Sequence, residues 1–214
     1  MAVLLDNDVV LKLAQLDLLD DGCRILTRQY GQLYVLDTLV YQLSGRSATK
    51  RYGPEAIARV TNFIENRDFL LFEELITDSR LVTLQNDFDN LDEGEMRLVQ
   101  GLLNHHDLLL SGDKRFLKAL AETGFIEDAA LNNRFVCLEQ VICFLINELS
   151  LDHVNDKATV AFQGEFRVDS ALRTCIGRGR SLEHVFQGIL QQLQELPNAL
   201  LSIEKHWTLA SPDS

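Results

Sequence analysis

The sequence predicts an α/β protein in which a parallel sheet is sandwiched by helices. Over the first 148 residues, short apolar runs alternate with segments of amphipathic helical spacing, an alternation typical of a parallel sheet covered by helices. The first run, AVLL, is apolar at every position, as expected of a strand buried on both faces. The alternation stops near residue 150, so we expect a domain over residues 1–148 and a mostly helical extension over residues 149–214.

The elements of the first half follow from local spacing. AVLL at residues 2–5 predicts a strand, and VVLKLAQLDLL after it has helical spacing. LYVL at residues 33–36 predicts a second strand, with a short helix near residues 38–43. GPEAIARVTNFIENR predicts an amphipathic helix, because Pro54 suits a first helical position. LVTL at residues 81–84 is expected to be another strand.

The second half continues the alternation and then becomes helical. NLDEGEMRLVQGLL predicts a helix, DLLLSGD a strand, and KRFLKALAETG a helix that ends at Gly124. RFVCL predicts the last strand, and SLEHVFQGILQQLQELPNALL one or two helices broken near Pro197. The extension carries an apolar stripe that is too large to stay exposed to solvent. It is formed by Leu182, Val185, Phe186, Ile189, Leu190 and Leu193. Either the main domain or a second copy must cover it, and we expect a homodimer.

Composition narrows the class of protein. The formal net charge is −12, from 20 basic and 32 acidic residues, which argues against tight nonspecific binding of nucleic acid. The four cysteines are scattered and form no CxxC pair. This spacing favours reduced thiols over disulfides or a zinc finger. Every apolar run is far shorter than the ~20 residues of a membrane span. We therefore expect a soluble, cytoplasmic protein without a membrane partner.

Three acidic residues occupy positions where a charge is unusual. Asp6 and Asp113 each follow a predicted strand, so parallel strands would bring both to the sheet edge where open α/β sheets bind ligands. Each could instead cap the next helix or form a turn. Glu95 lies in the apolar stripe of its helix, four residues before Val99, where an unpaired carboxylate is costly to bury. Alternatively it favours the helix dipole from the first turn or pairs with Arg97.

Clustered carboxylates repel one another, and a divalent cation relieves that repulsion. Oxygen-only ligands suit Mg²⁺ or Mn²⁺, which can activate a water molecule and neutralise phosphate charge. The sequence therefore predicts a Mg²⁺ or Mn²⁺ site at Asp6, Glu95 and Asp113.

Three segments stand in a particular order along the chain: LLDNDVVLKLA, LDEGEMRLVQGLL and LLLSGDKRFLKALAETGF. They resemble, in turn, the "DTNV" opening, the "LxxGExxAI" helix and the "LLTDDxxLRxAAxxxG" strand and helix of the PIN-domain family of metal-dependent ribonucleases. FVCLEQVICFLI looks like the last strand and helix of that fold. The resemblance covers roughly residues 1–148 and implies hydrolysis of phosphodiester bonds in RNA.

The resemblance also implies residue roles. Asp6, Glu95 and Asp113 match the catalytic, metal-binding acids of the family. Asp8 stands where the family usually has Asn, so it is expected to hydrogen-bond the turn and to contact the metal. Ser111 matches a Thr or Ser that steadies the site.

The chain departs from the family pattern at several positions. Gly112 precedes the matched acid where an Asp is often found, and Gln42 stands near where a Glu commonly begins a helical segment. The fourth acid that some members use has no clear match, since Glu139 and Asp128 are poor candidates, and its loss would weaken a two-metal mechanism. The extension has no counterpart in the minimal family, so it is expected to serve oligomerisation or partner binding.

RNA contact requires positive charge near the acids. We predict RNA binding by two clusters, which are Arg46, Lys50 and Arg51 after the second strand, and Arg173, Arg178 and Arg180 in the extension. Both clusters could instead be solvated surface charge. The pair His105 and His106 is expected to be a solvated helix end.

Two other functions stay open at this stage. A PIN-like fold could bind RNA or a protein partner, such as an antitoxin, without cutting. DNDVV also fits the opening motif of haloacid-dehalogenase-type phosphohydrolases, in which Asp6 would be the nucleophile and Asp8 the acid and base. Against that second alternative, no Lys lies between Met96 and Asp113, and Glu95 would have no role.

Overall fold

The computed structural model describes residues 2–104, 107–197, 200–202 and 207–209. Within these residues the chain forms short strands and helices in alternation, followed by helices alone. The elements are β1 (Ala2–Leu5), α1 (Asn7–Gln15), α2 (Leu19–Tyr30), β2 (Gln32–Leu36), α3 (Thr38–Ser44), α4 (Arg46–Tyr52), α5 (Pro54–Glu65), β3 (Leu70–Phe72), α6 (Ser79–Asp87), α7 (Glu93–Asn104), β4 (Leu108–Ser111), α8 (Lys114–Glu122), α9 (Phe125–Asp128), β5 (Phe135–Cys137), α10 (Leu138–Glu148), α11 (Leu151–Gln163), α12 (Ser170–Cys175) and α13 (Leu182–Leu193).

The five strands form one sheet in the order β3-β2-β1-β4-β5, and every neighbouring pair is parallel. The predicted α/β class with a parallel sheet is therefore confirmed. At the centre, Val3 of β1 pairs with Leu33 of β2 on one side and Leu108 of β4 on the other. The chain adds strands on one side of β1 first and on the other side afterwards. The topological switch point therefore lies between the carboxyl ends of β1 and β4, where open α/β sheets bind ligands.

One predicted strand is wrong. LVTL belongs to α6, which begins where the Asp78 side chain accepts the Arg80 N–H as an N-cap. Only Leu81 of that run is buried, so it forms the narrow apolar face of a surface helix. The third strand is instead β3, which is short and lies at the sheet edge with Leu70 and Leu71 exposed. Such a strand leaves no buried apolar run in the sequence.

Both faces of the sheet are covered. Val3 and Leu5 point into a core with α1, α2, α5 and α10, whereas Leu4 between them points into a second core with α6 to α9. On the second face α7 lies very close to the sheet, since a Cβ on Gly101 would meet the Phe72 ring at 2.4 Å. This close approach fixes the position of the helix that carries Glu95.

The helices of the extension belong to the first of these cores, whereas Leu196, Leu200 and Leu201 after them belong to the second. Val154 of α11, Leu172 of α12, and Val185 and Ile189 of α13 are buried in the same cluster as β1. The segment after α13 also reaches the sheet, because Leu201 forms a parallel bridge to Phe135 of β5. The predicted apolar stripe is thus partly covered by this chain itself, so it does not by itself require a second copy. The homodimer stays a prediction.

Within the described residues, no helix combines the length and apolar character needed to cross a membrane.

Candidate active site

The two acids that follow strands meet at the switch point. Asp6 ends β1 and caps α1, where its Oδ1 accepts the Asp8 N–H at 3.4 Å. Asp113 follows β4 and caps α8 by accepting the N–H groups of Arg115 and Phe116. Each acid is therefore a helix cap, as the alternative interpretation proposed, and also a residue at the predicted sheet edge. Capping fixes each carboxyl group at the carboxyl ends of the parallel strands.

Ser111 connects the two acids. Its hydroxyl donates to Asp6 Oδ2 at 2.9 Å and accepts the Asp113 N–H at 3.2 Å. The Ser111 side chain is fully buried at the end of β4. This arrangement agrees with the predicted role of steadying the site.

Glu95 approaches from the second face of the sheet. Its Oε2 accepts the Asp92 N–H at 2.8 Å, and Asp92 Oδ1 accepts the Glu95 N–H at 2.8 Å, which is the reciprocal pattern of a capping box. Asp6, Glu95 and Asp113 line one cleft of about 880 Å³. The structure thus brings the three predicted acids to one cavity.

Burial and mutual repulsion change the acidity of two of these groups. Burial and the nearby Asp8 carboxylate raise the pKa of Asp6 to about 6, although the Ser111 hydrogen bond opposes the rise. Burial raises the pKa of Glu95 to about 8, opposed by its bond from Asp92, while repulsion from Asp92, Asp113 and Asp6 adds to it. At neutral pH Asp6 is therefore mostly ionised, whereas Glu95 mostly keeps its proton unless a cation enters the cleft.

Asp8 is held by cations of the protein. Its Oδ2 lies 2.6 Å from Lys12 Nζ, and its Oδ1 accepts the Tyr52 hydroxyl at 3.2 Å. Lys12 also pairs with Asp169 of the extension at 2.7 Å, and its side chain is only 11% exposed. The direct contact of Asp8 with a metal stays a prediction, but its charge is already compensated.

Gly112 has a physical reason in this arrangement. A Cβ at Gly112 would lie 2.6 Å from Asp8 Oδ2, and the Gly112 carbonyl accepts a long hydrogen bond from Lys12. An aspartate at this position, as in the resembled family, would displace the ion pair between Asp8 and Lys12. The pair of Asp8 and Lys12 therefore limits the size of the residue at position 112.

A fourth acid does reach this sheet edge, and the sequence analysis missed it. Asp37 directly follows β2 as Asp6 follows β1, which is the signal that could have found it. Its Oδ1 lies 2.7 Å from Arg97, whose Nε also donates to the Glu74 carbonyl. Arg97 thus neutralises Asp37 and not Glu95. Of the two weaker candidates, Glu139 is buried in an ion pair with Lys114, and Asp128 ends α9.

The predicted RNA-binding cations fall into two groups. Arg46, Lys50 and Arg51 lie on α4, and Arg51 lines the cleft. Arg173 packs over the Phe162 ring, 5.5 Å from its centroid, and neither it nor the other two extension arginines, Arg178 and Arg180, lines the cleft. His105 and His106 lie outside the described residues. Arg115 lines the cleft although the sequence analysis did not select it.

The fit of a metal depends on the donors available. Among the described residues, no group of three or more His, Cys, Asp and Glu side chains is arranged so that it could hold a metal ion. Mg²⁺, however, usually keeps several waters and binds through one or two carboxylates plus substrate phosphate. Two carboxyl groups with raised pKa supply that chemistry, and the buried Oδ1 of Asn7, beside Asp6, has no hydrogen-bond partner in the described part of the chain. The donors therefore fit a partly hydrated Mg²⁺ or Mn²⁺.

No family model matches this chain, and neither a curated protein nor a solved structure shows significant similarity to it. Functional conclusions therefore depend on the chemistry of the cleft.

Proposed function

We propose that this chain is a PIN-type, divalent-metal-dependent endoribonuclease that hydrolyses phosphodiester bonds at the cleft. One observation carries the proposal: Asp6, Glu95 and Asp113 line one cavity at the switch point, and burial with mutual repulsion raises the pKa of two of them. Carboxylates with only a structural role are usually solvated or form an ion pair. Carboxyl groups that lie together at a switch point without an ion pair favour a cation-binding function.

In this proposal Asp6, Glu95 and Asp113 would hold Mg²⁺ or Mn²⁺. The bound ion supplies an activated water molecule and neutralises charge on the scissile phosphate. Ser111 orients the Asp6 carboxyl group through its hydrogen bond. Asp8 lines the cleft and is paired with Lys12, which also pairs with Asp169, so this one cation is shared by two carboxylates of the cleft.

Cleavage is not the only function that this cleft supports. A PIN-like module that binds RNA or a protein partner, such as an antitoxin, without cutting is favoured by the lack of a ready three-ligand group among the described residues. The phosphohydrolase alternative needs the Asp8 carboxyl group to be free to contact a substrate, and Asp8 is instead bound to Lys12 at 2.6 Å. We therefore rank the non-cleaving module second. The cytoplasmic location stays a prediction.

A metal-dependent cleavage assay tests the proposal. The full chain is incubated with labelled single-stranded RNA in Mg²⁺, in Mn²⁺ and in chelator, and metal binding is measured by calorimetry on the same samples. Asp6→Asn and Asp113→Asn should abolish cleavage, whereas Asp20→Asn, a change at an exposed position on α2, should leave it intact.

Three results would exclude cleavage by this site. They are RNA that stays intact in both metals, equal cleavage by Asp6→Asn, and equal cleavage in chelator. Metal binding without cleavage would support the non-cleaving module.

A further inference from the structure

A second depression adjoins the cleft on the side of the extension. It has a volume of about 630 Å³ and lies between α4 and residues 164–169, the segment that connects α11 to α12. It shares Lys12, Arg51, Tyr52 and Asp169 with the cleft, so the two cavities adjoin. We call this depression the basic groove and residues 164–169 the strap.

The two cavities differ in the sign of their charge. The basic groove is lined by four basic side chains and two acidic ones, a formal charge of +2, of which the residues that it does not share with the cleft, Lys50, Arg167 and Glu165, give +1. The cleft is lined by four basic and seven acidic side chains, so its formal charge is −3 with all groups ionised. A chain of net charge −12 thus places a positive surface directly beside its carboxylate cluster.

The cations specific to the basic groove are available to a ligand. Lys50 on α4 and Arg167 on the strap are both exposed, and neither forms an ion pair among the described residues. Arg67 is also exposed and without an ion pair among the described residues, so what distinguishes Lys50 and Arg167 is that both line one depression. Unpaired, converging cations at a concave surface attract an anion.

The strap is fixed on both sides of Arg167. The Phe166 ring packs on Gly53, where a Cβ would lie 2.7 Å from the ring and where φ is +91°. Gln15 donates to the Arg167 carbonyl at 3.3 Å, and Asp169 is bound to Lys12. Arg167 is therefore presented by an anchored backbone, which lowers the entropy cost of binding.

We propose that the basic groove binds the phosphates of a single-stranded polynucleotide next to the phosphate held in the cleft, with Lys50 and Arg167 as the contacts. The inference rests on the proposed function, because the acidic cleft supplies the metal and the groove supplies the positive charge that a continuous strand requires. Each cavity has the volume of a small-molecule site, which suits one or two nucleotides of a single strand.

Binding of single-stranded RNA to the full chain tests the groove. Fluorescence anisotropy is measured in Ca²⁺ with an octanucleotide and a dinucleotide over a series of salt concentrations. Arg167→Gln should weaken octanucleotide binding about threefold to tenfold and make the slope of log K against log salt shallower by about 0.7, the value for one phosphate contact on a single strand. The dinucleotide, which the cleft alone can hold, should bind equally to both proteins.

Two further variants sharpen the test. Lys50→Gln should repeat the effect of Arg167→Gln, because both cations line the groove. Arg67→Gln is the matched control, since Arg67 is exposed and forms no ion pair among the described residues. It precedes β3 and so lies near the amino ends of the strands, whereas the cleft lies at their carboxyl ends. It should leave both the affinity and the salt slope unchanged.

The outcomes separate the groove from the proposed function. If Arg167→Gln and Lys50→Gln bind the octanucleotide with the affinity and slope of the parent, or if the parent does not bind it, the groove is refuted. If both variants weaken binding while the parent cuts no RNA in any metal, the groove stands and cleavage is refuted. A duplex that binds as tightly as the single strand and loses as much affinity in Arg167→Gln would also refute the single-strand assignment.

Discussion

The ammonium group of Lys12 lies 2.7 Å from Asp169 Oδ2, which joins the first helix of the domain to the extension beside the cleft. The same ammonium group lies 2.6 Å from Asp8, so one largely buried cation bridges two carboxylates. Removing Lys12 takes the nearest cation from both carboxylates, and the free-energy cost depends on how far each carboxylate is buried from water. The extension is therefore part of the candidate site.

Lys12→Met should lower the free energy of unfolding by about 2–4 kcal/mol, because it leaves Asp8 and Asp169 without their shared partner. Urea denaturation followed by circular dichroism measures the change. Lys118→Met is the control, since its pair with Glu195 also joins the domain to the extension but is exposed, and its loss should cost about 1 kcal/mol or less. Equal losses in the two variants would show that Lys12 has no special role.

Gly112→Ala should destabilise the protein by about 1–3 kcal/mol, since the added methyl group would lie 2.6 Å from the Asp8 carboxylate. It should also reduce cleavage, because Asp8 and Asp6 are adjacent in the cleft. Gly22→Ala is the matched control. Its Cβ would make only an ordinary contact with Leu13 at 3.5 Å inside α2, so stability should stay equal or rise by about 0.5–1 kcal/mol. A Gly112→Ala protein as stable and active as the parent would contradict the close packing at this turn.

Stability in chelator should fall as the pH rises. The pKa of Asp6 is raised to about 6 and that of Glu95 to about 8, so the folded protein keeps protons that the unfolded chain has lost. The stabilisation from these groups is complete below about pH 4, their ordinary pKa range, and is lost as the pH rises to 8. The melting temperature measured by calorimetry should therefore decrease between pH 5 and pH 8.

Glu95→Gln should remove much of that pH dependence and raise the melting temperature at pH 8, because the amide keeps an acceptor for the Asp92 N–H without the charge. Mg²⁺ should raise the melting temperature of the parent at pH 8 and that of Glu95→Gln by less. If the melting temperatures of parent and variant change with pH in the same way, Glu95 does not have a raised pKa in the folded protein.

Ser111→Ala should shift the acid limb of the pH–rate profile to higher pH. The Ser111 hydroxyl stabilises ionised Asp6 by donating a hydrogen bond, so its loss should raise the pKa of Asp6 further. Cleavage rates between pH 5 and pH 9 test this expectation, and the rate at high pH serves as the internal reference. A uniform loss of rate at every pH would indicate misplacement of Asp113, whose N–H also binds Ser111.

The predictable parts of this molecule are those where local pattern and burial coincide. β1 and β4 are buried runs that are mostly apolar, Asp6 follows β1 directly and Asp113 stands two residues after β4, so both strands and both acids could be identified. β3 could not, because an edge strand with two of its three residues exposed leaves no such run. The ion pair between Lys12 and Asp169 depends on how the extension packs on the domain, and hydrophobic spacing does not predict such packing. The only sign of this ion pair in the local sequence was a lysine inside the apolar stretch VVLKLA.

The short pairing of Leu201 with Phe135 makes the two edges of the sheet unequal in their capacity to associate with other chains. At the β5 edge, Ser202 already donates to the Phe135 carbonyl at 2.7 Å, and Gln140 donates to the Ser202 carbonyl at 2.8 Å. A strand from another molecule must displace these bonds to join there. Edge-to-edge aggregation is thus directed to β3, where a length of three residues offers an incoming strand few hydrogen bonds.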